Sequence, residues 1–227
     1  MARSKVSLLV CCCMLTAASL MTVSAVGQTV LFEKKNLTEW DFYVDKDGVK
    51  AEEVFSFTDD GRLLCTGQPF GYLATKESYK NFKFAVEWCW PAGKEPTNSG
   101  IFLKITDQPK GAFLPKAVEV QLHHKDAGDI WAFHKRIAAV DSSPRYSASE
   151  NATLGKINGV TKLLDAEKVP GQWNSMEILC VDSLIVVVVN GKIVNWTSTA
   201  EVIAGRIGFQ SEGGPIEFRN AVLTELP

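Results

Sequence analysis

Apolar and polar residues alternate with a period of two along most of the chain, and this pattern predicts β-strands. In Phe82–Trp90 every second residue is aromatic or valine, so one face of this strand is predicted to be buried. Long stretches with helical periodicity are nearly absent. Further strands are predicted at Ala117–His123, Ser175–Cys180, Leu184–Asn190, Gly205–Gln210 and Ile216–Leu223.

A further strand with regular alternation is predicted at Ser99–Ile105. Ile101, Leu103 and Ile105 share one face, and Phe102 and Lys104 share the opposite face. The run Ile185–Val189 is apolar on both faces, which predicts a strand buried between other layers.

Short turn signals separate the predicted strands: Asp60-Gly61, Asn190-Gly191 and Gly213-Gly214-Pro215. Asn-Gly between two apolar runs is a strong signal for a two-residue hairpin. Many short strands with frequent turns favour an all-β fold, a two-sheet antiparallel β-sandwich. Residues 126–164 have weak periodicity, so they are interpreted as long loops with short strands at most, covering one face.

The N-terminus has the layout of a secretory signal. Arg3 and Lys5 precede an uncharged apolar stretch, residues 6–23, and small residues follow it. A retained transmembrane anchor is the alternative, because the stretch is nearly long enough to span a bilayer. We interpret residues 1–27 as a signal peptide and residues 28–227 as one domain, exported to the periplasm or the cell exterior.

Charge and cysteine content narrow the function classes. The chain is slightly acidic and has no basic run, so no nucleic-acid partner is expected, and no membrane partner is expected once the signal is removed. After removal of residues 1–27, which contain Cys11, Cys12 and Cys13, the remaining cysteines are Cys65, Cys89 and Cys180, an odd number at wide spacing. Buried free thiols are therefore favoured over a Cys65–Cys89 disulfide.

The most informative polar positions are Glu119, Gln121 and His123, which alternate with aliphatic residues. At this spacing the three side chains project about 7 Å apart from one face of a strand. An ordinary solvated face is the alternative. An acid, an amide and an imidazole together favour a functional face, because sugar hydroxyls are bound by carboxylates and amides.

Sugar binding also needs an aromatic platform, for which Trp131 and Tyr72 are candidates. Trp88 and Trp90 lie on the apolar side of their strand and are assigned to the core.

A metal site is a weaker hypothesis. His123, His124 and His134 fall within twelve positions and could join Glu119 or Asp129. Adjacent residues of a strand point to opposite faces, and no compact metal motif is present. No cofactor is evident, a divalent metal is left open, and His134 is also kept as a substrate-binding candidate.

Seven segments in order resemble one family of secreted bacterial proteins, the 3-keto-disaccharide hydrolase domain, which is related in fold to concanavalin-A-like jelly rolls. They are LFEKKNLTEWDFY (31–43), GYLATKESYKNFKFAVEW (71–88), NSGIFLK (98–104), AVEVQLHH (117–124), GQWNSMEI (171–178), NGKIVNW (190–196) and GRIGFQSEGGPIEFRNAVL (205–223). The resemblance implies a two-sheet jelly roll with its site on the concave sheet.

The resemblance also implies a substrate class, namely glycosides whose C3 hydroxyl has been oxidised to a ketone. Such a ketone acidifies the C2 proton, so proton abstraction can expel the group on C1. This chemistry needs a base near C2, a donor at the enolate oxygen and an acid for the leaving group. The expected function is cleavage of 3-keto-glycosides or 3-keto-disaccharides. The alternatives are a non-catalytic carbohydrate-binding module and a surface-adhesion domain.

The resemblance nominates six residues: Asn98, Lys104, Glu119, Gln121, Gln210 and Glu212. As hypotheses, Lys104 stabilises the enolate, Glu212 is the acid or orients the ligand, and Asn98, Gln121 and Gln210 hold hydroxyls. The base is Glu119 or, from outside the nominated set, His123.

This sequence departs from the family pattern at two places. Lysine stands at 104 where arginine is common, and Ser211-Glu212-Gly213 stands where Asp-His-Gly is common. Lysine lacks the bidentate fork of arginine, so binding there is expected to differ. Glu217, Arg219 and Asn220 are expected to form a structural network on the last strand.

Overall fold

The computed structural model describes residues 27–134, 136–137 and 144–227. In this part of the chain, two eight-stranded sheets carry nearly all the regular structure, with a 3₁₀ turn at Leu37–Glu39 and one helical turn at Ala51–Val54. The proposed signal peptide lies outside the described residues except for Gly27, which is the first residue of β1. None of the helices in these ranges is long and apolar enough to cross a membrane.

One sheet, called the back sheet, has the order β14-β13-β12-β6-β16-β4-β3, and β1 pairs with β16. Its strands are β1 (Gly27–Val30), β3 (Phe55–Phe57), β4 (Leu63–Cys65), β6 (Phe82–Cys89), β12 (Asn174–Val181), β13 (Leu184–Val189), β14 (Lys192–Thr197) and β16 (Ile216–Glu225).

The other sheet, called the front sheet, has the order β10-β11-β9-β8-β7-β15-β5-β2. Its strands are β2 (Trp40–Val44), β5 (Gly71–Thr75), β7 (Gly100–Asp107), β8 (Lys116–Gln121), β9 (Ile130–Ala132), β10 (Tyr146–Asn151), β11 (Gly155–Val160) and β15 (Arg206–Ser211).

The all-β sandwich predicted from the alternation is confirmed, but the stretch interpreted as long loops is more regular than expected. Within residues 126–164, strands β9, β10 and β11 extend the front sheet beyond β8. Their alternation was weak because β10 is exposed almost throughout, so it lacks the apolar face that reveals a strand in a sequence.

The core lies between the inner faces of the two sheets. Phe209 of the front sheet contacts aromatic rings of both sheets, with ring centroids 5.0 Å from Phe218 and 6.2 Å from Phe84. Trp88 and Trp90 are fully buried, as predicted. Edge-to-face packing of large rings is among the most favourable ways to fill such a core.

The sequence predictions for the back sheet are mostly confirmed. Asn190 and Gly191 both have positive φ in the β13–β14 hairpin, as a two-residue turn of this type requires. The prediction that Ile185–Val189 is buried on both faces is wrong, because Val186 and Val188 are only partly buried on the outer face. Cys65, Cys89 and Cys180, the cysteines within the described ranges, are free and buried, so the Cys65–Cys89 disulfide alternative is excluded.

The outer face of the back sheet carries the ion-pair network expected at the last strand. Arg219 and Asn220 both donate hydrogen bonds to Glu87, and Arg62 pairs with Glu217. Glu87 and Glu217 therefore belong to the back sheet, not to the polar face that carries Glu119.

Strand β7 contains a β-bulge that changes the direction of its later side chains. Lys104 has a φ of 55°, and the register with β8 shifts between Leu103 and Asp107. Consequently both Leu103 and Lys104 are directed inward, whereas Ile105 joins the apolar cluster on the outer face. The regular alternation predicted for this strand fails at Lys104, because a bulge inserts one extra residue into a strand.

Candidate functional site

The candidate site occupies the outer face of the front sheet, at the end where β8 finishes and β7 begins. Across the strands, Gly100 pairs with Gln121, and Gln210 pairs with Tyr72. Because Phe209 pairs with Ile101, the next residues, Gln210 and Gly100, lie opposite each other. Residues two apart in a strand share a face, so this row is flanked by two other rows of side chains.

The first flanking row places Trp131 beside Glu119, and Glu119 beside Phe102. The second is the isolated bridge between Asn98 and Glu212, at the end of the sheet. Three rows on neighbouring strands thus gather side chains from residues far apart in the sequence. These side chains are Glu119, Gln121, Asn98, Gln210 and Glu212.

Glu119 is buried in the site because Gly100 has no side chain. A Cβ placed on Gly100 would lie only 2.2 Å from Oε1 of Glu119, so the carboxyl group covers that glycine. Glu119 is 97% buried, being only 3% exposed. The carboxyl group leans from its own row toward Gln210, with whose side chain it forms a hydrogen-bonding interaction.

Several polar atoms of the site have no hydrogen-bond partner. Oε1 of Glu119, Oε1 of Gln210 and Oδ1 of Asn98 are buried, and no group in the described ranges bonds to them. Buried polar atoms in native proteins are nearly always paired, so each orphan atom needs an explanation. Three such atoms in one place are the arrangement expected of a site that a polar ligand completes.

Both acids of the site have pKa values above the ordinary value of a glutamate. Burial raises the pKa of Glu119 well above its ordinary value, and the charge of Glu212 raises it further. Burial also raises the pKa of Glu212, although hydrogen bonding to Asn98 and the charge of His123 oppose this shift. Glu212 is therefore the acid that ionises first, and Glu119 keeps its proton to higher pH.

Gln121 faces the site with only one end of its amide free. Its Oε1 accepts hydrogen bonds from the backbone N–H of Leu122 (3.0 Å) and of His123 (2.9 Å). The carbonyl end is thus engaged in the turn after β8, which orients the NH₂ group outward. Gln121 can donate to a ligand from this position, but its oxygen is not available to accept.

His123 lies at the rim of the site, beyond the end of β8. Its side chain is 49% exposed and its Nδ1 is 3.0 Å from Oδ2 of Asp126. The prediction of a three-residue stripe therefore holds for Glu119 and Gln121. His123 instead lies near Glu212, whose pKa it lowers when its imidazole is protonated.

Two other sequence candidates, Lys104 and His134, lie away from the site. Lys104 is fully buried on the inner side of the bulge, where its Nζ donates to the carbonyl of Ile203 at 3.1 Å. His134 follows β9, next to Leu154, at the opposite end of the strands. Burial lowers the pKa of His134, and its Nε2 has no partner among the described residues.

Tyr72 faces outward as expected, but it is covered and cannot serve as an open platform. It stacks on Tyr43 with ring centroids 5.3 Å apart, and its hydroxyl donates to Gln108 in the β7–β8 connection. Burial raises its pKa to about 12. The connection and its apolar neighbours close this half of the outer face, which leaves the Glu119 end for a ligand.

Trp131 is the candidate platform that the structure keeps partly exposed. It stands beside Glu119 in the neighbouring strand and opposite Gly159 of β11.

The three histidines of the metal hypothesis lie in different surroundings. His124 pairs with the buried Glu167 at 3.1 Å, and His123 pairs with Asp126. Among the residues described, no three His, Cys, Asp or Glu side chains form a group that could hold a metal ion.

Two glycines that shape the site, Gly100 and Gly159, were missed as functional residues. Each lies within a strand and gives space to a neighbouring side chain. A glycine inside a strand pattern is a sign of close approach by another group, and this signal was available in the sequence.

Comparison with known proteins agrees with this architecture. The family model for the 3-keto-alpha-glucoside-1,2-lyase-like domain matches residues 27–224. No curated protein is similar enough in sequence to count as a match.

Solved structures with the same fold include a proposed glycosyl hydrolase of Parabacteroides distasonis. It is 24% identical, with a TM-score of 0.59 over 88% of this chain and 100% of that chain. A β-glucanase of Bacillus licheniformis is 14% identical, with a TM-score of 0.55 over 88% and 99% of the two chains. A carbohydrate-binding module from Bacillus subtilis is 10% identical, with a TM-score of 0.55 over 82% and 96%. At these identities the likeness concerns the jelly-roll fold alone.

Proposed function

Because the chain belongs to the 3-keto-alpha-glucoside-1,2-lyase-like domain family, we propose that it is an exported enzyme that cleaves 3-keto-glycosides by elimination. The observation that carries this proposal is the buried Glu119 carboxyl group beside Glu212, with an unpaired oxygen on Glu119 itself and two more on Asn98 and Gln210. A purely structural surface has no reason to bury an acid with an orphan oxygen, since burial without a partner costs free energy.

The reaction needs one group that takes a proton and one that gives a proton. A ketone at C3 acidifies the proton on C2, and the glycosidic oxygen on C1 is then β to the developing carbanion. As the base removes the C2 proton, the C1–O bond breaks and the leaving oxygen takes a proton from the acid. Water adds to the resulting unsaturated ketone in a later step.

The surroundings of the two acids favour one division of roles. Glu212 has the smaller upward pKa shift, because Asn98 and His123 stabilise its charged form, so we assign it as the base. Glu119 remains protonated to higher pH and is assigned as the acid that protonates the leaving oxygen. This assignment differs from the roles expected from the sequence, where Glu119 or His123 was the base and Glu212 was the acid or oriented the ligand.

The enolate oxygen needs a hydrogen-bond donor, and Lys104 is too far inside the sandwich to provide it. Gln121 is the best placed alternative, because the backbone holds its carbonyl oxygen and leaves its NH₂ group directed outward. An amide oriented in this way loses little free energy of reorganisation when negative charge develops on the substrate. Asn98 and Gln210 remain the candidates for holding sugar hydroxyls.

A binding module without catalysis is the competing function. The partly exposed Trp131 beside polar side chains favours it, because such a surface can bind a sugar without changing it. The two functions differ in one observable. Only an enzyme of the proposed kind exchanges the C2 proton of a 3-keto sugar with solvent.

The test combines leaving-group release with proton exchange. A 3-keto-glucoside with a chromogenic leaving group is incubated with the protein in D₂O, and deuterium at C2 is followed by NMR. We expect release and C2 exchange well above the rates without protein, and no release from the unoxidised glucoside. Glu119→Gln and Glu212→Gln are each expected to lower the rate of release at least about 100-fold.

Two further comparisons make the test decisive. Glu177→Gln, an exposed acid of the back sheet, is the matched control and is expected to keep full activity. The elimination mechanism is rejected if the released 3-keto sugar retains the original C2 proton of the substrate. Saturable sugar binding without release or exchange would establish the binding module instead.

A further inference from the structure

Thr97 lies in the connection between β6 and β7, where three loops meet at the site end of the front sheet. Its hydroxyl oxygen accepts a hydrogen bond from the backbone N–H of Gly214 at 2.5 Å. Its backbone carbonyl accepts one from the N–H of His124 at 3.0 Å, in the turn after β8. Thr97 therefore ties its own loop to the turn that follows Glu212 and to the turn that follows Gln121.

The turn after β15 is packed closely against this threonine. A Cβ placed on Gly213 would lie 2.7 Å from the hydroxyl oxygen of Thr97, and Gly213 has a φ of 89°. A second close contact comes from the loop after β4, because a Cβ on Gly67 would lie 2.1 Å from the carbonyl oxygen of Gly214. The turn that follows Glu212 is thus held by two contacts, with Thr97 and with the backbone of Gly67.

Two site residues lie directly next to these contacts. Asn98 follows Thr97 in the chain and forms the isolated bridge with Glu212. The side chain of Asn98 also hydrogen-bonds to the Glu212 carboxyl group and favours its charged form. The geometry of this pair depends on how its two loops are joined, and Thr97 adds a side-chain hydrogen bond to the backbone bridge between them.

From these contacts we propose that Thr97 is a positioning residue of the site: its hydroxyl holds the Glu212 carboxyl group against the Asn98 amide. The inference rests on the proposed function, in which Glu212 is the base that removes the C2 proton. Without the hydroxyl, the N–H of Gly214 loses its partner and the turn is free to separate from Asn98. Thr97 acts on the reaction through these neighbours and not by contact with the substrate.

The loss of this contact has a direction that a pH profile can show. Burial raises the pKa of Glu212, and the hydrogen bond with Asn98 and the charge of His123 oppose that shift. Glu119 is a further titratable group that interacts with this carboxyl group. When Asn98 moves away, one opposing contribution is lost and the pKa of Glu212 rises. The base is then charged only at higher pH, so the acidic limb of kcat/KM moves upward.

The experiment compares pH profiles of kcat/KM for a 3-keto-glucoside. Thr97→Val keeps the shape of the side chain and removes the hydroxyl. We expect it to lower kcat/KM at neutral pH at least about fivefold and to move the acidic limb up by at least about 0.3 pH unit. Thr97→Ser keeps the hydroxyl and is expected to restore most of both values.

Thr58 offers a matched control in the hairpin between β3 and β4. It is also partly buried, and its hydroxyl accepts a hydrogen bond from the backbone N–H of Arg62 at 2.9 Å. Thr58→Val is therefore expected to lower the free energy of unfolding about as much as Thr97→Val does. It is expected to leave kcat/KM and the acidic limb unchanged. Equal kinetic effects of the two variants, or an unmoved limb in Thr97→Val, contradict the positioning role.

Two further measurements test the same contact. In the Asn98→Ala background, Thr97→Val is expected to move the limb by less than about 0.1 pH unit, because the hydroxyl acts through Asn98. A shift as large as in the wild-type background contradicts the inference. In the wild type, slow hydrogen exchange of the Gly214 amide is expected, and exchange as fast as in an unfolded peptide overturns the contact itself.

The failure of this inference can be separated from the failure of the proposed function. If the wild-type protein cleaves no 3-keto-glucoside, the proposed function is rejected, and the pKa of Glu212 is then measured directly by NMR of its labelled carboxyl carbon. A higher pKa in Thr97→Val than in the wild type and in Thr97→Ser supports the inference in that case. Equal pKa values in the three proteins overturn it.

Discussion

At the scale of single residues, the surroundings of each acid set its pKa and so distinguish two side chains of the same type. Glu119 is buried where Gly100 leaves space, whereas Glu212 is partly open to solvent and faces Asn98 and His123. The same side-chain type therefore has two different proton affinities within one site. Pairs of acids whose surroundings separate their pKa values are a common basis for dividing acid and base roles.

The raised pKa of Glu119 has a consequence for stability. The unfolded chain releases this proton near pH 4.3, whereas the native state retains it to higher pH. The corresponding stability is fully present below about pH 4.3 and is lost as the pH rises through the raised pKa. From pH 4 to pH 7, we expect the free energy of unfolding of the wild type to fall relative to Glu119→Gln by at least about 1 kcal/mol.

Urea titrations at several pH values measure this difference. Glu177→Gln removes a half-exposed acid of the back sheet, paired with Lys83 and distant from the site, and serves as the control for the loss of a carboxyl group. Parallel curves for the wild type and Glu119→Gln would show that the carboxyl group is not desolvated as the structure indicates.

At the scale of single elements, the bulge in β7 decides which side chains reach the site. It directs Lys104 into the sandwich, where Nζ donates to the carbonyl of Ile203, and it directs Ile105 outward. A strand without the bulge would place the lysine close to the row that contains Glu119. The inward direction of the Lys104 side chain therefore depends on the positive φ of Lys104 itself.

Replacing the lysine tests that assignment. Lys104→Met keeps the length of the side chain and removes the buried charge, so we expect the free energy of unfolding to change by less than about 2 kcal/mol. The kcat/KM for a 3-keto-glycoside is expected to stay within about twofold of the wild-type value. A variant that folds normally and loses more than about 100-fold in kcat/KM would return Lys104 to a catalytic role.

At the scale of the whole molecule, the two sheets are held together by an aromatic core centred on Phe209. This residue is fully buried and contacts Phe32, Trp40, Phe84 and Phe218. The same strand, β15, carries Gln210 on the site face. Packing of Phe209 in the core thus fixes the position of β15, and with it the position of Gln210 in the site.

Removing the central ring should affect the entire fold. Phe209→Ala is expected to lower the free energy of unfolding by about 3–5 kcal/mol, because it leaves a large cavity between the sheets. Phe113→Ala, at a position that is 38% exposed, is expected to cost less than about 1 kcal/mol. Chemical denaturation of both variants is the measurement, and a loss below about 1 kcal/mol for Phe209→Ala contradicts the described packing.

Much of this architecture could be read from local patterns. The period-two alternation in Phe82–Trp90, the Asn190-Gly191 hairpin and the buried tryptophans are all confirmed. These features depend on neighbouring residues in the chain, so a single sequence contains the information. The pairing of Glu119 and Gln121 on one strand face could be predicted for the same reason.

Other features depended on contacts between residues distant in the chain. The inward turn of Lys104 comes from a register shift between β7 and β8, and the proton affinity of Glu119 comes from Gly100, Gln210 and Glu212 on other strands. Alternation along one strand does not encode where a bulge interrupts it or what faces it across the sheet. The composition of the face was therefore predictable, whereas the chemistry of its members depends on how the strands are brought together.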